Sequence, residues 1–175
     1  MTSLLEFHAF LLSNTGSRLD RFAKALAAAI RPGDTVLDLG AGSAILSILA
    51  CDAGARRAYA VEDTDAVSIA RALVASTPYR DRIEILHGKS FDFTLPERAD
   101  VLVADVHATF GLQEQGLAAM LDARDRLVKP GGRLVIPVGP MFDVQQLQLI
   151  EKDAAGQIRT RTVATVAFVP LRRGR

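Results

Sequence analysis

Hydrophobic positions along this chain fall into short apolar runs that alternate with longer amphipathic segments. Continuous apolar runs of about four to eight residues are typical of strands covered on both faces, whereas apolar residues at a period near 3.6 indicate a helix packed on one face. The apolar runs predict five strands, at 35–39, 58–61, 82–86, 100–105 and 133–138. The periodic segments predict helices at 4–12, 17–30, 43–50, 64–76 and 111–128.

The last part of the chain breaks this alternation. Residues 144–152 and 159–169 form two β-rich runs that are joined by Asp153-Ala-Ala-Gly-Gln157, with no helix between them. Strands that alternate with helices predict a mostly parallel sheet, and two adjacent β-rich runs predict an antiparallel hairpin. We therefore expect an α/β fold with a doubly wound, seven-stranded sheet, made of five parallel strands and a C-terminal antiparallel hairpin. Ligands of such sheets bind over the carboxyl ends of the strands.

The stretch from Thr35 to Ile45 is the centre of this pattern, because an apolar strand there runs directly into a glycine turn. Gly40 and Gly42 permit positive φ and allow a ligand to approach the backbone closely. Ser43 is a candidate N-cap for the helix that follows, so the free N–H groups of that helix point at whatever lies over the glycines. We expect a nucleotide-like ligand at this turn.

The spacing of acids and glycines distinguishes two kinds of ligand. A dinucleotide fingerprint has a third glycine at the position that Ile45 occupies here. Asp38, two residues before Gly40, would not help to bind a pyrophosphate but favours a cationic ligand, such as the ammonium and sulfonium of S-adenosylmethionine. Glu62 ends the second strand 22 residues after Gly40, where an acid accepts hydrogen bonds from ribose hydroxyls in nucleotide-binding folds.

This first motif resembles that of class I S-adenosylmethionine-dependent methyltransferases, which has the form acid-x-Gly-x-Gly-x-Gly or Ala. From about His8 to Pro137, the chain is also similar to the core of the protein arginine methyltransferases. Further stretches occur in that family's order: Ala53-Gly-Ala-Arg56, Glu62, Gly88-Lys89 and Leu121-Asp-Ala-Arg-Asp-Arg126 before Pro130-Gly131. The resemblance implies methyl transfer from S-adenosylmethionine, with S-adenosylhomocysteine as the product.

A pair of acids is the most specific part of this resemblance. In that family, a loop after the fourth strand carries two glutamates nine positions apart that hold the substrate guanidinium. Asp105 and Glu114 have the same spacing. The resemblance therefore implies an acceptor pocket for a cationic nitrogen group, with His107 as a candidate proton acceptor. The alternative is that Asp105 caps a helix, Glu114 is a solvated helical acid and His107 is a solvated loop histidine.

The same resemblance implies a set of cofactor contacts. In the family's N-terminal helix, an arginine with an aromatic residue four positions later contacts the cofactor carboxylate, and Arg18 and Phe22 match this pattern. The other predicted cofactor-binding residues lie at strand ends and in the turns that follow them: Asp38, Gly40, Gly42, Glu62, Asp63, Gly88, Lys89, Ser90 and Asp105.

The chain also departs from the family pattern. The first acid of the pair is Asp rather than Glu, and Val106-His-Ala-Thr109 replaces the family's Trp-Met-Gly-Tyr. We expect no counterpart of the β-barrel that follows the fifth strand in that family. Instead, residues 131–139 and the hairpin that ends in Phe168-Val-Pro-Leu171 are similar to the end of the protein isoaspartyl methyltransferases, which share this scaffold. These departures leave the substrate and the oligomeric state open.

Composition sets the frame for these predictions. With 175 residues that are 49% hydrophobic, the chain is expected to form a single domain, 1–175, with N-terminal helices over 1–30 as a lid, a cofactor-binding core over 31–139 and the hairpin over 140–171. A formal charge of +1 gives no electrostatic footprint for nucleic acid. The single Cys51 excludes an intramolecular disulfide, and no apolar run reaches membrane-spanning length, so we expect a cytoplasmic location. The dispersed histidines suggest no metal site.

We therefore expect an S-adenosylmethionine-dependent methyltransferase whose partner is a methyl acceptor with a nitrogen nucleophile, in a protein, a peptide or a small molecule. Three alternatives stay open at this point. The first is O- or N-methylation of a small metabolite, and the second is a non-catalytic accessory protein that binds the cofactor. The third is a nicotinamide-dependent enzyme, against which Ile45 and Asp38 argue.

Overall fold

The computed structural model describes residues 15–105, 114–140, 144–153 and 155–167. The helix predicted at 4–12 lies outside this range. The helices are α1 (Thr15–Ala29), α2 (Ile45–Asp52), α3 (Val67–Ala75) and α4 (Glu114–Asp122). The strands are β1 (Thr35–Leu39), β2 (Arg57–Glu62), β3 (Ile83–His87), β4 (Ala99–Ala104), β5 (Val128–Val138), β6 (Val144–Lys152) and β7 (Ile158–Ala167). None of the helices in this part of the chain is long and apolar enough to cross a membrane.

The strands form one seven-stranded sheet in the order β3-β2-β1-β4-β5-β6-β7. Strands β1 to β5 are parallel, and β6 runs antiparallel to both β5 and β7. This confirms the predicted doubly wound sheet with its C-terminal hairpin. The chain steps outward from β1 through β2 to β3 and then returns to β4 on the other side of β1. Ligands of such sheets bind where the strand order reverses, which here is at the carboxyl ends of β1 and β4.

The core has one layer on each face of the sheet, as the apolar run of β1 predicts. All five residues of β1 are buried. Val36 packs with Phe22 and Leu26 of α1 in one cluster, and Leu37 packs with Leu127 in the other. Alternate side chains of β1 therefore enter opposite layers, which explains why this strand has no polar face.

Helix α2 begins differently from the prediction. Ser43 was expected to cap it, but the N-cap is Ala44, which has left-handed geometry (φ 61°) and makes no side-chain cap hydrogen bond. The carboxylate of Asp38 serves the first turn instead, because its Oδ2 accepts hydrogen bonds from the Ser47 N–H at 3.0 Å and the Ser47 Oγ–H at 2.8 Å. Strand β1 thus supplies the capping group through tertiary contact.

The segment between α4 and β5 also differs from the single helix predicted at 111–128. Helix α4 ends at Asp122 and is followed by one π-helical turn, Ala123–Leu127. Strand β5 begins at Val128, which pairs with Ala99, whereas Arg133 pairs with Val101. The intervening residues 129–132 leave the ladder as a bulge. The predicted helix terminator Lys129-Pro-Gly-Gly132 therefore interrupts a strand rather than preceding one.

Candidate functional site

The glycine turn after β1 is fixed by the strand beside it. Gly40 and Gly42 have φ of 71° and 56°, as predicted for a turn that needs positive φ. The N–H groups of Gly40 and Ala41 donate to the carbonyl of Val61 at 2.9 and 3.0 Å. The Gly42 N–H donates to Glu62 Oε2 at 2.7 Å. Strand β2 therefore holds the turn through both its backbone and its terminal acid.

Glu62 connects the two turns that border the candidate ligand site. Its Oε1 accepts the N–H of Thr64 at 2.9 Å, while its Oε2 holds the turn after β1. The residue is only 6% exposed. A carboxylate oxygen has two lone-pair directions, so each oxygen of Glu62 can accept one further hydrogen bond. This pair of acceptor oxygens fits a vicinal diol such as a ribose, whose two hydroxyls would donate to it. The neighbouring Asp63 is exposed.

Asp38 is buried under the glycine turn. Burial, opposed by the two hydrogen bonds from Ser47 and assisted by the charges of Asp105 and Glu62, raises the pKa of Asp38 to about 7. The carboxyl therefore takes up a proton near neutral pH rather than in the usual acidic range. Its contacts join β1 to α2, which gives Asp38 a structural role in addition to the electrostatic one predicted from the sequence.

Arg18 and Asp105 meet at the end of β4. The guanidinium of Arg18, on α1, donates a hydrogen bond from Nη2 to Asp105 Oδ2, and the two side chains are 15% and 20% exposed. The Cζ of Arg18 lies 5.7 Å from the centroid of the Phe22 ring. Burial lowers the pKa of Arg18 and raises that of Asp105, and the ion pair opposes both shifts. The structure thus joins a predicted cofactor contact, Arg18, to Asp105, which the sequence assigned to both the cofactor and the acceptor.

The predicted cofactor loop after β3 is narrow and tightly bonded. The Gly88 N–H donates to the carbonyl of Glu62 at 3.0 Å. A Cβ on Gly88 would lie 2.9 Å from Asp92 Oδ2, so a larger residue does not fit without movement. The Lys89 N–H donates to the same carboxylate at 2.8 Å, and Ser90 is buried. Gly88, Lys89 and Ser90 therefore continue the edge formed by the turns after β1 and β2.

The sequence did not indicate Arg126, whose guanidinium donates hydrogen bonds to the backbone of this loop. Its Nη2 donates to the carbonyl of Ser90 at 2.9 Å and its Nη1 to that of Phe93 at 3.1 Å. The guanidinium also pairs with Asp122, with 2.5 Å between Nε and Oδ1. The spacing of Asp122 and Arg126, four residues apart in a helical segment, was a signal for this ion pair but not for the loop contact.

The other two predicted acceptor residues, His107 and Glu114, have side chains outside the described part of the chain. His107 lies outside the described residues. Glu114 is the first residue of α4, and its side chain also lies outside the described part. The acceptor pocket formed by Asp105, Glu114 and His107 therefore stays a prediction. In the described ranges, no group of three or more His, Cys, Asp or Glu residues could hold a metal ion.

Comparison with known proteins now identifies the relatives of this chain. "Probable histone-arginine methyltransferase 1.3" of Arabidopsis thaliana is 43% identical over 108 residues, which are 61% of this chain and 20% of that protein. The crystal structure of protein arginine methyltransferase 10 from Arabidopsis thaliana has a TM-score of 0.65 and 36% identity, and covers 73% of this chain and 37% of that chain. The chain therefore spans well under half the length of these relatives.

A second similar structure is that of a complex with AdoHcy. The Trypanosoma brucei PRMT1 enzyme–prozyme complex with AdoHcy has a TM-score of 0.61 and 29% identity, and covers 74% of this chain and 39% of that chain.

Residues 22–155 match the family model described as ribosomal protein L11 methyltransferase (PrmA). This match includes every described turn of the site. The chain thus belongs to the ribosomal protein L11 methyltransferase (PrmA) family, within the S-adenosylmethionine-dependent methyltransferases.

Proposed function

We propose that this chain transfers a methyl group from S-adenosylmethionine to a nitrogen atom of an acceptor. The observation that carries the proposal is the neighbouring position of the glycine turn and Asp105. Leu39 and Ala104 are the last residues of β1 and β4 and are paired in the sheet, so Gly40 and Asp105 leave the sheet side by side. A cofactor over the glycine turn lies next to a carboxylate that can hold an acceptor.

The edge of the sheet supports the cofactor in three places. The positive-φ glycines Gly40 and Gly42 expose backbone without a side chain, which suits the close approach of the amino-acid portion. Glu62 retains one acceptor direction on each oxygen for the two ribose hydroxyls. The loop 88–90 continues the edge beyond Glu62, where the base would extend. Asp63 and Lys89 border this edge and stay predicted contacts.

In the mechanism we propose, the main task of the chain is to align the acceptor nitrogen with the methyl group, because the leaving group needs no activation. When bound, S-adenosylmethionine supplies a methyl group on a sulfonium, which is already a good leaving group. Asp105 and Glu114 would bind the positive charge of a guanidinium or an ammonium and direct one nitrogen toward the methyl group. Alignment of this kind lowers a barrier by about 7 to 11 kcal/mol at best. His107 is the proposed proton acceptor, because an imidazole is the side chain best suited to accept a proton at neutral pH.

We propose an order of acceptor classes that is based on the names of the relatives. The protein that shares 43% identity is described as a histone-arginine methyltransferase, so an arginine guanidinium in a peptide is the first acceptor class that we propose. The matching family is named for the methylation of a ribosomal protein, so we propose other nitrogen groups of proteins as the second acceptor class. Amines of small molecules come third.

The test is a methyl-transfer assay with a panel of acceptors. The chain is incubated with S-adenosylmethionine and with arginine peptides, lysine peptides or small amines, and mass spectrometry detects the added methyl group. We expect a methylated nitrogen product. The Asp105→Asn variant should lower kcat/KM about 10- to 150-fold, because it loses a charge-assisted bond of about 1.5 to 3 kcal/mol, without weakening cofactor binding. Cofactor binding without any methylated product would overturn the nitrogen acceptor, and full activity of Asp105→Asn would overturn the role of Asp105.

A further inference from the structure

The contact between Arg18 and Asp105 is the starting point, because it joins the two halves of the site. Arg18 comes from helix α1, and Asp105 follows strand β4, 87 positions later in the chain. The carboxylate of Asp105 holds a guanidinium in this structure, and that guanidinium belongs to the chain itself. This is the kind of group that the proposed acceptor would present to Asp105.

The surroundings of the Arg18–Asp105 contact strengthen it. Both side chains are largely buried, so the attraction between their charges is screened less than in an exposed ion pair. The ring of Phe22, one helical turn after Arg18, lies under the guanidinium at 5.7 Å. An acceptor cation that binds Asp105 Oδ2 must therefore displace a guanidinium that is already bound and packed.

The other anionic ligand of Arg18 would be the cofactor. Asp105 leaves the sheet beside Gly40, so a group bound over the glycine turn comes within reach of the same guanidinium. The amino-acid portion of S-adenosylmethionine carries a carboxylate. One arginine then stands between two carboxylates, one from the chain and one from the cofactor.

We propose that Arg18 is a gate, which covers Asp105 until the cofactor carboxylate draws it away and opens Asp105 to a cationic acceptor. This inference rests on the proposed function and adds an order of binding to it. The cofactor and the acceptor bind cooperatively, with the cofactor first. By linkage, the acceptor must strengthen cofactor binding by the same factor.

The test measures this coupling with ligands that do not react. Isothermal calorimetry determines the affinity of acetyl-arginine amide for the chain alone and in saturating S-adenosylhomocysteine. In the unmodified chain, we expect the second affinity to be at least ten times the first. In Arg18→Ala, the probe should bind with similar affinity in both conditions, and more tightly than it binds the unmodified chain alone.

Arg21→Ala is the matched control. Arg21 lies on the same helix and carries the same charge, but its Nη1 donates to the carbonyl of Thr165 and not to Asp105. This variant should keep the coupling of the unmodified chain, which separates the gate from a general effect of net charge. Equal coupling in Arg18→Ala and Arg21→Ala overturns the proposal.

A second measurement needs no acceptor at all. Nuclear magnetic resonance of the Asp105 carboxyl carbon reports its pKa with and without S-adenosylhomocysteine. Because the ion pair with Arg18 lowers the pKa of Asp105, departure of Arg18 must raise it. We expect S-adenosylhomocysteine to raise the pKa of Asp105 in the unmodified chain but not in Arg18→Ala. An unchanged pKa in the unmodified chain, when the cofactor product is bound, overturns the gate. Absence of any binding of S-adenosylhomocysteine overturns the proposed function instead.

Discussion

At the scale of single residues, Glu62 has two tasks that depend on the same two carboxylate oxygens. The carboxylate holds the turns after β1 and β2 and is the proposed ribose acceptor. Glu62→Gln replaces one carboxylate oxygen by an amide NH2 group, which donates hydrogen bonds but cannot accept them. We expect S-adenosylmethionine to bind about 1 to 3 kcal/mol more weakly by calorimetry.

The control for this variant is Glu84→Gln, which removes the acid on β3 from its half-exposed ion pair with Arg57 on β2. It should change cofactor affinity by less than about 0.5 kcal/mol. Equal affinity of Glu62→Gln and the unmodified chain would move the ribose contact elsewhere along the sheet edge.

Asp38 gives the fold a dependence on pH. Its pKa is raised to about 7 in the folded chain, mainly by burial, whereas the unfolded value is about 3.9. Between these values the folded chain binds a proton that the unfolded chain does not, so this residue makes the fold less stable as pH rises from about 4 to 7. The effect is at most about 1.4 kcal/mol per pH unit.

Asp38→Asn tests this dependence, because the amide oxygen can still accept from Ser47. Urea unfolding of both proteins at several pH values between 4.5 and 7.5 gives the difference in their free energies of unfolding. We expect the unmodified chain to lose stability relative to Asp38→Asn as pH rises. A difference that stays constant with pH would show that the raised pKa has no part in stability.

At the scale of elements, the π-helical turn after α4 supports the loop after β3 through Arg126. Arg126→Ala removes its hydrogen bonds to the carbonyls of Ser90 and Phe93. We expect faster hydrogen exchange at Lys89 and Asp92 and a several-fold loss of affinity for S-adenosylmethionine. Arg124→Ala is the control on the same turn, since Arg124 pairs only with the exposed Asp125 in the described contacts and should leave both measurements unchanged.

The elements also show what the sequence could and could not predict. The strands were predictable because the buried run of β1 and the two runs of the hairpin have no competing period. Local pattern failed where a distant group decides the outcome. Asp38 on β1 replaces Ser43 at the start of α2, and the pairing of Val128 with Ala99 extends β5 backward past a Pro-Gly turn.

The candidate site divides in the same way. The turn at Gly40 and the acid at Glu62 follow from spacing, because positive φ and a strand-end carboxylate are local properties. The partner of Arg18 does not follow from spacing, because Asp105 lies 87 positions later in the chain, after β4. Long-range ion pairs leave no periodic signal in a sequence.

At the scale of the whole molecule, ligand binding should stabilise the fold by mass action. S-adenosylmethionine at 100 times its Kd is expected to stabilise the chain by about 2.7 kcal/mol. Thermal unfolding with S-adenosylmethionine, NAD and NADP measures this effect. We expect the first ligand to raise Tm by several degrees and the two nicotinamide dinucleotides to leave it unchanged. A shift with NAD alone would favour the nicotinamide alternative.

The position of α1 has a consequence for the order in which the chain matures during synthesis. Arg21 of α1 donates to the carbonyl of Thr165 on β7, 144 positions later. On a ribosome, the first described helix is therefore made long before the strand that it packs against. Helix α1 can pack on Val36 of β1 before the hairpin is made, but its contact with Thr165 must wait for β7. Since α1 also carries Arg18, the helix that bears the proposed gate completes its contacts only when β7 has been made, after the strands that form the binding edge.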